Sequence, residues 1–124
     1  MEPPAHITHL LNGLTQFNPT LAVDPSAYRL DVESGNKKVT VLWPSEAGEV
    51  FFDFHKDGQV LLSESVEYYE GEPQDDQAED ISRVVRNFLL NEVRVVQAGR
   101  LLKRHELQSN QSGRWLSVFQ SPAT

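Results

Sequence analysis

The run EVFFDFHK carries a carboxylate and an imidazole at a spacing that suits acid–base chemistry. Asp53 and His55 lie two residues apart, so on an extended strand their side chains point to the same face. Such a pair becomes catalytic when a nucleophile or a bound water completes it in a closed pocket. The sequence contains no GxSxG, HExxH, GxxxxGK or GxGxxG motif. We therefore interpret Asp53 and His55 as part of the polar outer face of a half-buried strand. A small-molecule enzyme that uses these two residues is an alternative hypothesis.

Two histidines near the N-terminus have the spacing of metal ligands. His6 and His9 are three residues apart, so on a helix they share a face. A metal site needs at least one further ligand, and His55 and His105 lie in other segments with no recognisable spacing. We expect surface histidines, with no metal and no other cofactor.

The densest chemical signal is the segment VEYYEGEPQDDQAED, residues 66–80, where seven carboxylates surround two tyrosines. Acidic side chains steer a basic partner from a distance, and aromatic side chains are enriched in the centre of recognition surfaces. The alternative is a solvated acidic edge that keeps the protein soluble and favours a helix N-terminus. The predicted partner-binding residues are Glu64, Glu67, Tyr68, Tyr69, Glu70, Glu72, Asp75 and Asp76.

Charge is unevenly distributed along the chain. The net charge is −7 and the pI is about 5.0. Residues 46–80 hold twelve acids against one base, whereas residues 81–114 hold seven bases against two acids. Nucleic-acid binding needs a basic surface, so we expect no nucleic-acid partner. A basic run, which is either an anion site or an internal complement of the acidic half, comprises Arg94, Arg100, Lys103 and Arg104.

Length and composition set the scale of the protein. A chain of 124 residues with 39% hydrophobic residues fits a single domain spanning residues 1–124. The absence of cysteine excludes disulfides and thiolate metal sites. No secretory signal and no apolar stretch of about 18 residues is present. We therefore expect a cytoplasmic protein, monomeric or dimeric, with no membrane partner.

Periodicity predicts a short helix followed by a meander of strands. Ile7, Leu10, Leu11 and Leu14 follow Pro3 and Pro4 at helical spacing, and PTLAVDPSA is expected to be a connection. Four strands follow, recognised by alternation and by turn segments such as SGNKK and Asp57-Gly58. In the last of them, Val60, Leu62, Val66 and Tyr68 share a face that Glu64 interrupts, as is typical of an edge strand.

A second, longer helix is predicted at about residues 76–91, with Asp76 and Glu79 as a capping box. Its apolar stripe is Ile81, Val84, Val85, Phe88 and Leu89. Residues 92–107 either prolong this helix or form a hairpin with a turn at Gly99, and their β-branched residues favour the hairpin. Arg114 to Phe119 is predicted to be a last strand or a docked tail. The predicted fold is α+β: an antiparallel meander sheet, a short N-terminal helix, a longer amphipathic helix on one face and a C-terminal hairpin or strand.

In size, charge and class the chain resembles bacterial toxin-immunity proteins, which are small, cysteine-free, acidic α+β domains. The resemblance rests on no diagnostic motif and assigns no residue. It implies an inhibitor that blocks a basic toxin or effector by direct complex formation. The chain is also similar to secretion chaperones, which hold a client protein, although those usually close with a third helix. Either way the expected partner is another protein with a basic surface.

Overall fold

The computed structural model describes residues 3–24, 26–45, 48–68, 73–98 and 104–120. Its elements follow in the order helix, five strands, helix, three strands, so the predicted α+β fold is confirmed. The helices and strands are α1 (Ala5–Gly13), β1 (Thr20–Asp24), β2 (Ala27–Ser34), β3 (Lys37–Pro44), β4 (Glu49–Lys56), β5 (Gln59–Glu67), α2 (Gln74–Leu90), β6 (Val93–Ala98), β7 (Arg104–Gln111) and β8 (Arg114–Ser117).

The first sheet is an antiparallel meander of five strands in the order β1-β2-β3-β4-β5. The four predicted strands are β2 to β5. The fifth, β1, pairs with β2 along its whole length, so the expectation of a plain connection at PTLAVDPSA is wrong. Pro19 precedes the strand and so removes no amide from its pairing, and an edge strand needs partners on one side only. Pro25 lies outside the described residues.

Tight turns with positive φ set the register of the hairpins. Asp57 (φ 53°) and Gly58 (φ 77°) join β4 to β5, and Ser112 (φ 55°) and Gly113 (φ 87°) join β7 to β8. Positive φ at both central residues gives a turn whose twist matches that of the flanking strands. The predicted Asp57-Gly58 turn is confirmed.

The two faces of the meander differ as strand alternation predicts. Val50, Phe52 and Phe54 point inwards and are at most 1% exposed. The helices cover this inner face and share one apolar core with it. The outer face carries polar side chains together with Leu42 and Phe51, which oppose each other across β3 and β4 and are 37% and 42% exposed.

Helix α2 begins two residues earlier than predicted. Pro73 (φ −59°) precedes the first turn, and no side chain caps the helix there. The predicted capping box of Asp76 and Glu79 is therefore wrong, because a proline at this position presets the backbone for the helix. Asp75 and Asp76 instead lie inside the first turn, where carboxylates interact favourably with the helix dipole. The predicted apolar stripe is confirmed, since all five of its residues are buried.

The C-terminal end of α2 is tied to the sheet by a half-buried cation. Lys37 Nζ, at the start of β3, donates to the main-chain oxygens of Phe88 (2.8 Å) and Asn91 (2.5 Å). A positive charge here satisfies carbonyls that have no partner within the helix. Burial lowers the pKa of Lys37, and the neighbouring Lys56 lowers it further.

The second sheet is a three-stranded antiparallel unit in the order β6-β7-β8. Of the two alternatives for residues 92–107, the hairpin is correct, because β6 pairs with β7 from Val93–Ser109 to Ala98–Arg104. The predicted turn at Gly99 lies outside the described residues. Within the described ranges, neither helix has the length and apolar character needed to cross a membrane.

The chain after β8 returns to the core and joins the two sheets. Val118 is fully buried, and the Phe119 ring lies edge-on to Phe52 (5.6 Å between centroids) and Phe54 (6.0 Å). Asn87 of α2 donates from Nδ2 to the carbonyl oxygens of Val118 (3.0 Å) and of Gln120 (3.1 Å). This segment therefore sets the position of the second sheet beside β5.

Candidate functional site

The predicted acidic surface is divided between the two faces of β5 and the start of α2. Glu67 opposes Glu49 on the outer face of the sheet, while Glu64 opposes Phe52 on the core-facing side. Tyr68 follows β5 directly. Three of the predicted residues, Tyr69, Glu70 and Glu72, lie outside the described residues.

Tyr68 lies beside the first turns of α2. They form an open depression of about 280 Å³, lined by Tyr68, Pro73, Asp76, Gln77 and Asp80. The Tyr68 hydroxyl donates to Asp80 Oδ2 at 3.0 Å. We call Glu67, Tyr68, Asp75 and Asp76 the acidic end, since Glu67 adjoins Tyr68 in the chain and Asp75 adjoins Asp76.

One turn further along α2, the carboxylates are neutralised within the protein. Glu79 Oε1 lies 3.6 Å from Arg86 Nη2, and its Oε2 lies 3.4 Å from His9 Nε2. Asp80 pairs with Arg83 on the same helix and also accepts the hydrogen bond from Tyr68. The partners of Glu79 and Asp80 are therefore His9, Arg83 and Arg86, none of which belongs to the basic run that was suggested as an internal complement.

The first-turn carboxylates have a different environment. Asp75 and Asp76 are both exposed, and neither forms an ion pair or hydrogen bond with another described side chain. By helical spacing, Asp75 continues the row of Glu79 and Asp76 continues the row of Asp80. The acidic end thus presents negative charge that the neighbouring arginines do not neutralise, beside the half-buried ring of Tyr68.

Glu64 belongs to a separate site, which the sequence did not reveal. It lines a cleft between β5 and β7 with a volume of about 210 Å³. We call this the β5–β7 cleft, and its lining residues are Leu62, Glu64, Arg104, His105, Glu106, Leu107, Ser117 and Phe119. The one signal in the sequence was a glutamate interrupting an otherwise apolar strand face.

Asp53 and His55 do not form a closed catalytic site. Asp53 is exposed on the outer face and accepts a hydrogen bond from Ser63 Oγ at 2.6 Å. The ladder between β4 and β5 is irregular at this point because Leu61 of β5 has no counterpart on β4. β4 itself pairs regularly with β3, so Asp53 and His55 do share a face as expected. An open depression adjoins Asp53, and His55 is not part of its lining.

The two N-terminal histidines have separate contacts. The His6 ring lies edge-on to Trp43 at 4.7 Å and to Tyr28 at 6.4 Å, whereas His9 faces Glu79. Burial lowers the pKa of His6 below its usual 6.5, and the opposing effect of Asp75 is smaller. Among the residues in the described ranges, no three histidines and carboxylates are grouped as metal ligands.

The His6 environment predicts a loss of stability in mild acid. Because the folded state lowers the pKa of His6, the unfolded chain binds a proton more readily, and the stability contributed by neutral His6 declines as the pH falls below about 6.5. His6→Phe keeps an aromatic ring against Trp43 but does not titrate. We expect this variant to lose less unfolding free energy than the parent between about pH 7.5 and pH 5.5 in urea titrations. Equal losses would show that His6 has no part in the pH response.

The predicted basic run is also separated by the fold. Arg94 stacks on Trp115, with the guanidinium carbon 4.1 Å from the ring centroid, and donates to Gln108 Oε1 at 2.9 Å. Arg104 is exposed and lines the β5–β7 cleft. Arg100 and Lys103 lie outside the described residues. A stacked arginine and a cleft arginine on different parts of β6 and β7 do not make a single anion site.

Comparison of the chain with protein-family models, with curated proteins and with solved structures found no match.

Proposed function

We propose that this chain is a protein-binding protein whose acidic end docks onto a basic surface of another protein. The mode of action is that of an immunity-type inhibitor, which covers the active surface of a basic toxin or effector by direct complex formation. The carrying observation is the contrast along α2. Glu79 and Asp80 form ion pairs with side chains of the same chain, whereas Asp75 and Asp76 are exposed and form no ion pair with a described side chain. The electrostatic effect of Asp75 on His6 is smaller than the effect of burial.

Electrostatics supports this choice of partner. The net charge of −7 raises the rate at which a cationic protein meets the surface. Exposed carboxylates at the rim contribute mainly to association rate and to specificity. Tyr68 supplies a ring that is held by Asp80 through its hydroxyl, and such tyrosines are favoured in the centre of recognition surfaces.

The alternatives have less support. An enzyme needs reacting groups in a common pocket, and Asp53 and His55 lie on an open sheet face without one. The secretion chaperones that the sequence resembles usually close with a helix, whereas the described part of this chain closes with β7, β8 and the Val118–Phe119 return.

The test is a pair of matched charge reversals on a partner captured from the source organism with the parent protein as bait. We expect Asp75→Lys/Asp76→Lys to slow association by about tenfold or more at low salt, because steering charge is lost. The control Glu33→Lys/Glu92→Lys changes the net charge equally at two exposed residues away from the acidic end and is expected to retain most of the parental rate. Stopped-flow or surface-based kinetics measures the association rates of both double variants.

Melting curves show whether the lysine variants remain folded. This control is needed because each lysine in the first turn interacts unfavourably with the helix dipole and lowers the stability by about 0.3–1 kcal/mol. An equal slowing by both double variants would assign the effect to net charge alone. Unchanged association in the Asp75→Lys/Asp76→Lys protein would remove the acidic end from the interface.

A further inference from the structure

The β5–β7 cleft combines an apolar floor with a charged rim. Leu107 is fully buried, and Leu62 and Phe119 are partly buried around it. The rim carries two carboxylates, Glu64 and Glu106, against one guanidinium, Arg104, with His105 beside it. An apolar side chain flanked by cations is complementary to this arrangement.

The first wall of the cleft is a strand edge that pairs with no other strand among the described residues. β5 ends the first sheet, and Tyr68 N donates to Gly48 O, which continues the β4 pairing. Even-numbered residues from Leu62 to Tyr68 therefore direct their backbone groups towards β4. Antiparallel alternation turns the N–H and C=O groups of Ser63 and Ser65 the other way, where no described strand pairs with them.

The second wall is also open, because β8 is short. β8 pairs with β7 only between residues 108 and 111, and the contact from Val118 N to Leu107 O (3.1 Å) extends this pairing by one position. His105 has the same orientation as Leu107 by alternation. Its N–H and C=O groups therefore face the cleft side of β7, with no backbone partner within the described ranges.

We propose that the β5–β7 cleft binds an extended peptide segment of a partner protein, added as a further strand along the edge of β5. Main-chain hydrogen bonds to Ser63 and Ser65 supply affinity, and alternate side chains of the segment enter the cleft, as in other cases of strand addition. The segment carries an apolar residue over Leu107 and Phe119, with lysine or arginine beside it for Glu64 and Glu106.

This proposal deepens the proposed function and rests on it in one respect: the segment is taken to belong to the same basic partner. The cleft uses none of the acidic-end residues, so the two sites can be tested apart. Its volume of about 210 Å³ is below the roughly 300 Å³ at which small-molecule sites begin, which favours a few side chains of a longer segment over a complete small ligand.

The experiment uses the full chain and two synthetic hexapeptides, one alternating lysine with valine and one alternating glutamate with valine. Binding is followed through the backbone amide signals in ¹H–¹⁵N NMR spectra up to about 1 mM peptide. We expect the lysine peptide to shift the amides of Ser63, Ser65 and His105 saturably, with an affinity about tenfold above that of the glutamate peptide.

Two variants identify the site. Ser65→Pro removes an outward N–H at a strand edge that tolerates proline, so it should abolish the shifts of Ser63 and His105 while the melting temperature stays close to that of the parent. Glu64→Lys should weaken binding of the lysine peptide about tenfold, whereas the exposed control Glu33→Lys, on the outer face of β2, should change it less than about twofold.

Three results would overturn the proposal: no saturable shifts, shifts centred elsewhere on the protein, or unchanged binding in a folded Ser65→Pro protein. Asp75→Lys/Asp76→Lys is expected to leave peptide binding unaltered. Failure of the peptide test alongside slowed partner association in that variant would refute the cleft and leave the acidic end in place. Peptide binding at the cleft together with unchanged partner association in Asp75→Lys/Asp76→Lys would refute the role of the acidic end alone.

Discussion

Phe88→Ala is expected to lower the free energy of unfolding by about 3–5 kcal/mol. The Phe88 side chain is fully buried on the inner face of α2, and its ring centroid lies 5.0 Å from that of Phe54. Lys37 Nζ lies 5.5 Å from the same ring while donating to the Phe88 carbonyl. Truncation leaves a cavity between helix and sheet and removes the ring beside the half-buried Lys37 ammonium, so transfer and packing losses add.

The matched control is Leu90→Ala on the same helix. Leu90 is 59% exposed, and surface truncations of this kind change stability by no more than about 0.5 kcal/mol. Urea unfolding of the three proteins measures the difference. If Phe88→Ala unfolds at the same urea concentration as the parent, the packing of α2 described above is incorrect.

Asn87→Ala is expected to cost about 2–3 kcal/mol, through lost hydrogen bonds instead of lost apolar contact. Asn87 is 5% exposed, and its Nδ2 donates to the carbonyl oxygens of Val118 and Gln120. Alanine leaves the buried Val118 carbonyl oxygen without this donor. A buried acceptor without a partner lowers the stability by its full desolvation free energy. The return of the chain after β8 is then held by fewer contacts.

The control for this substitution is Asn12→Ala, because Asn12 is exposed on α1 and its truncation should change stability by less than about 0.5 kcal/mol. Hydrogen exchange supplies a local readout: the Val118 amide, which donates to Leu107 O, should lose protection in Asn87→Ala, while amides in the middle of α2 should lose less. Uniform loss along the chain would contradict a local anchoring role.

Local patterns in the sequence were sufficient to predict the main elements. Alternation and turn residues identify β2 to β5, and the apolar stripe places α2 on the inner face of the meander. The strand β1 was missed because its two flanking prolines suggested a loop, although neither lies within the strand. The start of α2 was misplaced because aspartates compete with Pro73 as helix starters, and the proline here precedes the first turn.

The acidic end was predictable because it is nearly continuous in sequence. Tyr68, Asp75 and Asp76 lie within nine residues of the chain, from the end of β5 to the first turn of α2. What the sequence could not indicate is which acids have internal partners. Glu79 and Asp80 differ from Asp75 and Asp76 through their contacts with Arg83, Arg86 and His9 and through the Tyr68 hydroxyl on Asp80. The His9 contact depends on how α1 packs against α2.

The β5–β7 cleft was not predictable from local patterns. Its walls come from residues about forty positions apart, on two sheets that no backbone ladder joins within the described ranges. Their separation is set by Phe119 packing on Phe52 and Phe54. Non-local packing of this kind produces no periodic pattern in the sequence. Glu64 on an otherwise apolar strand face was the one feature of the sequence that indicated it.

The most direct measurement of the central claim is the association rate of the parent protein and its captured partner as a function of salt. Carboxylates that steer a cationic partner make this rate fall steeply as the screening length shortens from about 30 Å at 0.01 M to about 8 Å at 0.15 M ionic strength. We predict a steep fall for the parent and for Glu33→Lys/Glu92→Lys, and a clearly shallower one for Asp75→Lys/Asp76→Lys. A rate independent of salt in the parent, or identical slopes in all three proteins, would contradict the proposed role of the acidic end.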